Sequence, residues 1–164
     1  HLGWHYMYAR EYDTAMRHLD YTLLLEPSFP LAAWYKGLIY EQQGLYRESE
    51  AAFERAMSPS VDNLFIRADA AHMYAVSGQK ERVKSELAEL EAMAKDRYVS
   101  SFRLAVICVG VGEDDRAFEY FDKALAEHSD MLVYLNLDPR FDRLRSDKRF
   151  QELVSKVGLP QQNL

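Results

Sequence analysis

Hydrophobic and polar positions follow a helical period through most of the chain. In residues 46–57, Ser49, Ala52, Phe53 and Ala56 lie at i, i+3, i+4 and i+7, and most charged residues fall off this stripe. Such a stripe predicts an amphipathic helix with one buried face. Long segments contain neither proline nor glycine, which favours an all-α protein over one that needs frequent β-turns.

The same pattern returns every 34 residues, four times, without an insertion. Glycines, tyrosines and large apolar residues recur in register, and this indicates an internal structural repeat. The aligned sets are Gly3 with Gly37; Gly44 with Gly78 and Gly112; Tyr6 with Tyr40, Tyr74 and Cys108; and Leu19 with Phe53, Leu87 and Phe121.

The glycines divide each copy into two helices. Gly44, Gly78 and Gly112 come where a helix ends, and we expect a positive φ at all three. Arg10 holds this place in the first copy, so it should adopt the same strained conformation or a turn of another shape. Gly37 lies within a helix, where the absent Cβ lets two backbones approach closely. First helices are predicted at 1–10, 30–43, 62–77 and 98–111, and second helices at 12–25, 46–57, 80–94 and 114–128.

The register stops after residue 129. Asp138 and Pro139 read as the start of a helix, Asp147 as the cap of a last helix, and Gly158 as its end. Stacked repeats leave an apolar end that an atypical unit must close. We therefore expect an array over 1–129, with copies at about 1–29, 30–61, 62–97 and 98–129, and a capping segment over 130–164.

Two stretches resemble the tetratricopeptide repeat. They are "LGWHYMYAREYDTAMRHLDYTLLLEP" (2–27) and "GLIYEQQGLYRESEAAFERA" (37–56). The third and fourth copies depart from the family pattern, with Ala71 and Ala105 in the place of Gly37 and no closing proline. The resemblance implies an all-α, right-handed α-solenoid of about four hairpins that acts as a protein-interaction scaffold.

The ending "DPRFDRLRSDKRFQELVSKVGLP" resembles the C-termini of bacterial multi-domain tetratricopeptide proteins. Such proteins often carry a kinase, a nucleotide cyclase or a winged-helix domain upstream. Since His1 is not a natural start, we expect the chain to be part of a longer signalling protein. This leaves two functions open: a module that binds a peptide or helix in its groove, or a regulatory segment that controls an upstream domain.

The resemblance also places a set of residues on the concave groove of the solenoid. Aromatic and aliphatic side chains dominate this set, which is typical of a protein-binding surface, and we expect about half of them to be accessible. The alternatives are burial between helices or cover by a flanking segment. A groove that binds the carboxylate of a chaperone tail would need lysine, asparagine or arginine at the places of Tyr35 and Asp69. The sequence therefore argues against this kind of binding. The candidate groove residues are Trp4, Met7, Tyr8, Leu31, Trp34, Leu38, Glu41, Gln42, Phe65, His72, Phe102 and Val106.

Composition excludes several other classes. The net charge of −6 argues against a general nucleic-acid binder, and no apolar run is long enough to cross a membrane. We expect a cytoplasmic, non-enzymatic segment without cofactor, with an unidentified protein partner and self-association through an open N-terminal end as a further option. The sequence lacks a nucleophile elbow, phosphate loop, CxxC pair or paired-carboxylate motif.

The remaining chemical groups have structural interpretations. His1 and His5 are four residues apart but lack a third metal ligand. Cys108 is expected to be a small core residue. The acidic run 113–115 should lie at a helix start, where carboxylates are favourable. The basic residues are interrupted by aspartates and predict a salt-bridged surface, with anion binding as the alternative. They are Arg140, Arg143, Arg145, Lys148 and Arg149.

Overall fold

Helical hairpins follow one another along the chain. The computed structural model describes residues 2–57 and 63–160, and over these ranges it contains no strand. The all-α prediction is confirmed, and the predicted ends of the eight repeat helices agree with the observed ends to within three residues. The helices are α1 (Leu2–Tyr8), α2 (Tyr12–Leu25), α3 (Pro30–Gln42), α4 (Tyr46–Ala56), α5 (Leu64–Val76), α6 (Lys80–Met93), α7 (Ser101–Val111) and α8 (Asp114–Ala126).

Two short 3-10 helices and a final α-helix complete the fold: Asp130–Tyr134, Pro139–Leu144 and α9 (Lys148–Val157). The Asp138 carboxylate accepts a hydrogen bond from the backbone N–H of Arg140, and Asp147 does the same for Arg149. Both predicted N-caps are confirmed, and Gly158 ends α9 with φ of 80°. The predicted boundary at residues 61 and 62, His1 and the last four residues of the predicted capping segment lie outside the described residues.

Positive backbone φ marks the helix ends. Gly44, Gly78 and Gly112 have φ of 71°, 81° and 88°, which confirms their predicted role. Arg10 has φ of 63° and therefore adopts the strained conformation instead of changing the turn. His128, after α8, is a second non-glycine residue in this region, with φ of 54°.

Gly37 lies where α3 meets α4. A Cβ atom built on Gly37 would lie 2.9 Å from Phe53 of α4, and the Phe53 side chain is fully buried. The Ser49 hydroxyl donates a hydrogen bond of 2.8 Å to the Gly37 carbonyl across the same crossing. The predicted close approach is confirmed, because no larger residue fits here without moving Phe53.

The first helices of successive hairpins pack on one another: α1 on α3, α3 on α5 and α5 on α7. No comparable packing joins successive second helices among the described residues. The first helices therefore line the inner side of the array, and we call the surface formed by α1, α3, α5 and α7 the concave face. This arrangement is that of a helical solenoid.

Candidate functional site: the concave face and its strap

The concave face is covered by a segment of the same chain, residues 130–144, which we call the strap. Tyr134 of the strap stacks on Tyr8 of α1, with ring centroids 5.2 Å apart and an interplanar angle of 9°. It also meets Trp4 edge-on at 5.2 Å. At the other end of the strap, Phe141 is fully buried and packs edge-on against Phe102 of α7 at 5.8 Å. Aromatic contacts therefore hold both ends of the strap.

A buried carboxylate also holds the strap, next to Phe141. Asp69 of α5 is fully buried and accepts hydrogen bonds from three side chains of different elements. Arg140 of the strap donates at 2.6 Å, Arg103 of α7 at 2.7 and 2.8 Å, and the Trp34 indole of α3 at 2.9 Å. Arg140 also binds Asp138 of its own segment at 2.6 Å. Every charge in this network has an oppositely charged partner, as burial requires.

The network keeps its groups ionised. Burial opposes the charge on Asp69, but Arg103 and Arg140 outweigh it, so the pKa of Asp69 lies below its ordinary value. Burial likewise opposes the charge on Arg140, whereas Asp138 and Asp69 raise its pKa well above the ordinary value. Burial is also the main reason for the raised pKa of the Tyr8 hydroxyl.

The interpretation of Arg140 as a surface residue is wrong, since its side chain is only 4% exposed. The physical reason is Asp69, a carboxylate that helix α5 places on a buried face. Other members of the basic set do form surface ion pairs, as predicted. Arg143 binds Asp114, and Arg149 binds Asp115.

The acidic run lies at the start of α8, as expected. Asp114 and Asp115 occupy its first turn, where carboxylates favour the helix dipole. Glu113 stands at the N-cap position, but its side chain makes no capping hydrogen bond.

Seven of the twelve candidate groove residues are buried, and five keep part of their surface. Whether any of them binds a partner stays a prediction. The strap covers part of this face, and cover by a segment of the chain is one of the alternatives that the sequence left open. The buried ones are Met7, Trp34, Leu38, Glu41, His72, Phe102 and Val106. Those that keep part of their surface are Trp4, Tyr8, Leu31, Gln42 and Phe65.

The tail divides into two parts with different positions. Helix α9 packs on α8, the last helix of the repeats, where the sequence predicts a cap. The strap also reaches this end, where Phe141 packs edge-on against Phe121 of α8 at 5.5 Å. From there it crosses the concave face, on which Tyr134 has aromatic partners and Arg140 has an acidic one.

Two further candidates have structural positions. Cys108 is fully buried, as predicted, and burial raises the pKa of its thiol to about 12. His1 lies outside the described residues, and no group of three or more potential metal ligands occurs within residues 2–57 and 63–160.

The sequence contains one signal for the buried network. Asp69 stands in "IRADAAHMYAV", among residues that face the core at helical spacing, and a charged residue in such a stripe calls for a charged partner. Its two arginines lie 34 and 71 residues away along the chain. Nothing local in the sequence selects them.

Comparison with known proteins finds one similarity, in the first part of the chain. Residues 2–62 match the family model "Tetratricopeptide repeat". No curated protein matches the chain, and no solved structure does. Among the described helices, none is long and apolar enough to cross a membrane. The matched residues include the first two hairpins, and this part of the chain is similar to the tetratricopeptide repeat.

Proposed function

We propose that this chain is a protein-interaction module that binds an extended peptide or a helix on its concave face. Tetratricopeptide repeats generally mediate protein–protein contacts and are typically non-catalytic, and the family match supports this class of function. The proposed binding surface includes the candidate groove residues, which lie on the first helices of the hairpins.

One observation carries the proposal: the strap lies on the concave face in the manner of a bound peptide. Tyr134 stacks on an aromatic ring, Arg140 enters a buried acidic site, and Phe141 fills an apolar site. A buried aromatic anchor and a paired arginine are the features that dominate binding energy at protein interfaces. A surface that accommodates these groups in cis has the chemistry to accommodate them in trans.

The strap also sets the condition for binding. Its departure would expose Phe141 and leave Asp69 with Arg103 as its remaining cation. An external segment can therefore bind only if it makes equivalent contacts itself, or if the contacts of the strap have been weakened. We infer that a partner presents an arginine and aromatic residues in a similar order and competes with the strap.

A labelled peptide tests this competition in the full chain. The probe is a synthetic fluorescein-labelled peptide of residues 130–145, and the readout is fluorescence anisotropy. The variant Arg140→Ala weakens the strap but leaves the concave face intact, so it should bind the peptide at least about tenfold more tightly than the unaltered chain, as expected for one charge-assisted hydrogen bond. Arg149→Ala, which removes two exposed ion pairs outside the strap, with Asp115 and Asp147, is the matched control.

The affinities of the two variants for the peptide decide whether the proposal holds. Equal binding by the Arg140→Ala and Arg149→Ala variants, or no binding by either, would contradict the proposal. Far-UV circular dichroism checks that both variants fold. Tyr134→Ala, which removes a half-buried ring of the strap, gives a second weakened strap and should show the same gain.

The second candidate is a regulatory segment that controls another domain of a longer protein by intramolecular docking. The strap favours it, because this chain already holds one of its own segments on the concave face. A kinase, cyclase or winged-helix signature in the same reading frame would favour this function. In that case Asp69→Asn should change the activity of the attached domain.

A further inference from the structure

A cavity of about 330 Å³ with several charged residues in its lining lies beside the strap, where three first helices end. Its walls include the last residues of α3, α5 and α7, and Arg140 and Arg143 of the strap close one side. Because the strap supplies part of the wall, the cavity has this shape while the strap lies on the concave face.

Glu41, one of the residues that line the cavity, has a carboxylate oxygen without a hydrogen-bond partner. The Glu41 side chain is 1% exposed, and its Oε1 accepts hydrogen bonds from Gln42 and from Nδ1 of His72, both at 3.0 Å. Its Oε2 is buried and has no hydrogen-bond partner. A buried, unpaired carboxylate oxygen is costly, so Glu41 calls for a further donor.

The charged groups around the cavity carry one more negative charge than positive charges. Leaving His72 aside, we count the charged groups that line the cavity, the carboxylates paired to its two arginines, and Arg103, which shares Asp69 with Arg140. They are four carboxylates and three guanidinium groups. The carboxylates are Glu41, Asp69, Asp114 and Asp138, and the guanidinium groups are Arg103, Arg140 and Arg143. Each aspartate is paired with an arginine, which places the uncompensated charge on Glu41.

The backbone adds to this negative character. Glu41, Val76 and Val109 lie in the last turns of α3, α5 and α7, and helix C-termini carry partial negative charge. Arg143 already uses this property, since its Nη2 donates a hydrogen bond of 2.6 Å to the Val109 carbonyl. A second cation that enters the cavity would lie near Glu41 and near the same helix C-termini.

We propose that this cavity binds a primary ammonium group on a short aliphatic chain, with Glu41 as its counter-ion. The carboxylate torsion of glutamate is soft, so a donor in the cavity can draw Oε2 into a hydrogen bond without a change of rotamer. The ammonium group comes from a free alkylamine or from the side chain of a lysine in a partner. Both sources share the same recognition chemistry.

Titration of the full chain with n-butylammonium chloride, followed by NMR, tests the site. We expect saturable shifts of the His72 and Gln42 signals, and sodium butyrate at equal ionic strength should not produce them. Glu41→Gln keeps the shape of the side chain and should weaken binding about tenfold or more, as expected for the loss of a charge-assisted contact. Glu48→Gln, an exposed glutamate on α4, is the matched control.

A second arm separates the two sources. Binding of Nα-acetyl-lysine amide in addition to butylammonium supports a lysine side chain as the ligand, and binding of butylammonium alone supports a free amine. The proposal is overturned if butyrate binds in place of butylammonium, if neither binds, or if Glu41→Gln and Glu48→Gln bind equally. No peptide is present in this experiment, so its failure is independent of the proposed function.

Discussion

Replacing Asp69 by asparagine removes the central charge of the strap network with little change in shape. Arg103 then loses its carboxylate partner, while Arg140 keeps Asp138. Both guanidinium groups are at least nine-tenths buried. Removing one partner of a buried ion pair typically costs about 3–5 kcal/mol, because the other charge stays desolvated. We expect the free energy of unfolding to fall by about this amount.

Urea unfolding, followed by circular dichroism, measures the effect. The matched control is Asp142→Asn, which removes the ion pairs of an exposed aspartate with Arg10 and Arg145 and should cost less than about 1 kcal/mol. A double variant, Asp69→Asn with Arg103→Met, removes the carboxylate and its partner together. It should be less destabilised than the sum of the two single variants, since no unpaired buried charge is left.

Asp69 also makes the free energy of unfolding depend on pH. The pKa of Asp69 is lowered in the folded state, so its contribution to stability is complete above the pKa of the unfolded state, about 4. The contribution is lost as the pH falls through the lower, folded pKa. The stability difference between the unaltered chain and Asp69→Asn should therefore shrink below about pH 4.

Three results would refute the reasoning about this network. The first is a loss for Asp69→Asn no larger than that for Asp142→Asn. The second is strict additivity of Asp69→Asn and Arg103→Met. The third is a stability difference that stays constant down to about pH 2, well below the ordinary pKa of an aspartate.

Gly37→Leu should overpack the contact with Phe53 and lower stability by about 1–3 kcal/mol, or the thermal midpoint by roughly 2 to 12 °C; an unchanged midpoint would contradict the close approach. His128→Gly should raise the free energy of unfolding by about 0.5–1 kcal/mol by relieving a positive φ, whereas Gly112→Ala should lower it; equal signs in urea unfolding would contradict this account. Cys108, with a raised thiol pKa and no exposed surface, should resist iodoacetamide at pH 8 until urea unfolds the chain, and rapid alkylation of the folded chain would show local opening.

The helices and turns were predictable because their determinants are local. Apolar spacing marks the buried face of each helix, and Gly44, Gly78 and Gly112 mark the ends. Gly37 was recognisable because a glycine inside a strong helix needs a packing reason, which Phe53 supplies. These signals lie within one repeat of the residues they act on.

The strap was not predictable from the same signals. Asp69 and Arg140 are 71 residues apart, and helical periodicity carries no information about contacts at this distance. The resemblance to the tetratricopeptide repeat placed Phe102 and Trp34 on an inner face, but it did not reveal which segment covers that face. Arg140 stands in a run of mixed charges, so its sequence context resembles that of an exposed residue.

The strap also changes how this repeat array should unfold. An array in which each hairpin contacts its neighbours behaves like a one-dimensional chain, and its ends can fray independently. Here the strap joins α1, through Tyr8, to α5, through Asp69, and to α7, through Phe102. These ties couple the first hairpin to the third and fourth hairpins, which are not its neighbours along the array, so we expect a single cooperative transition in place of stepwise loss from the ends. They also close long loops, which should make folding slower than for the hairpins alone.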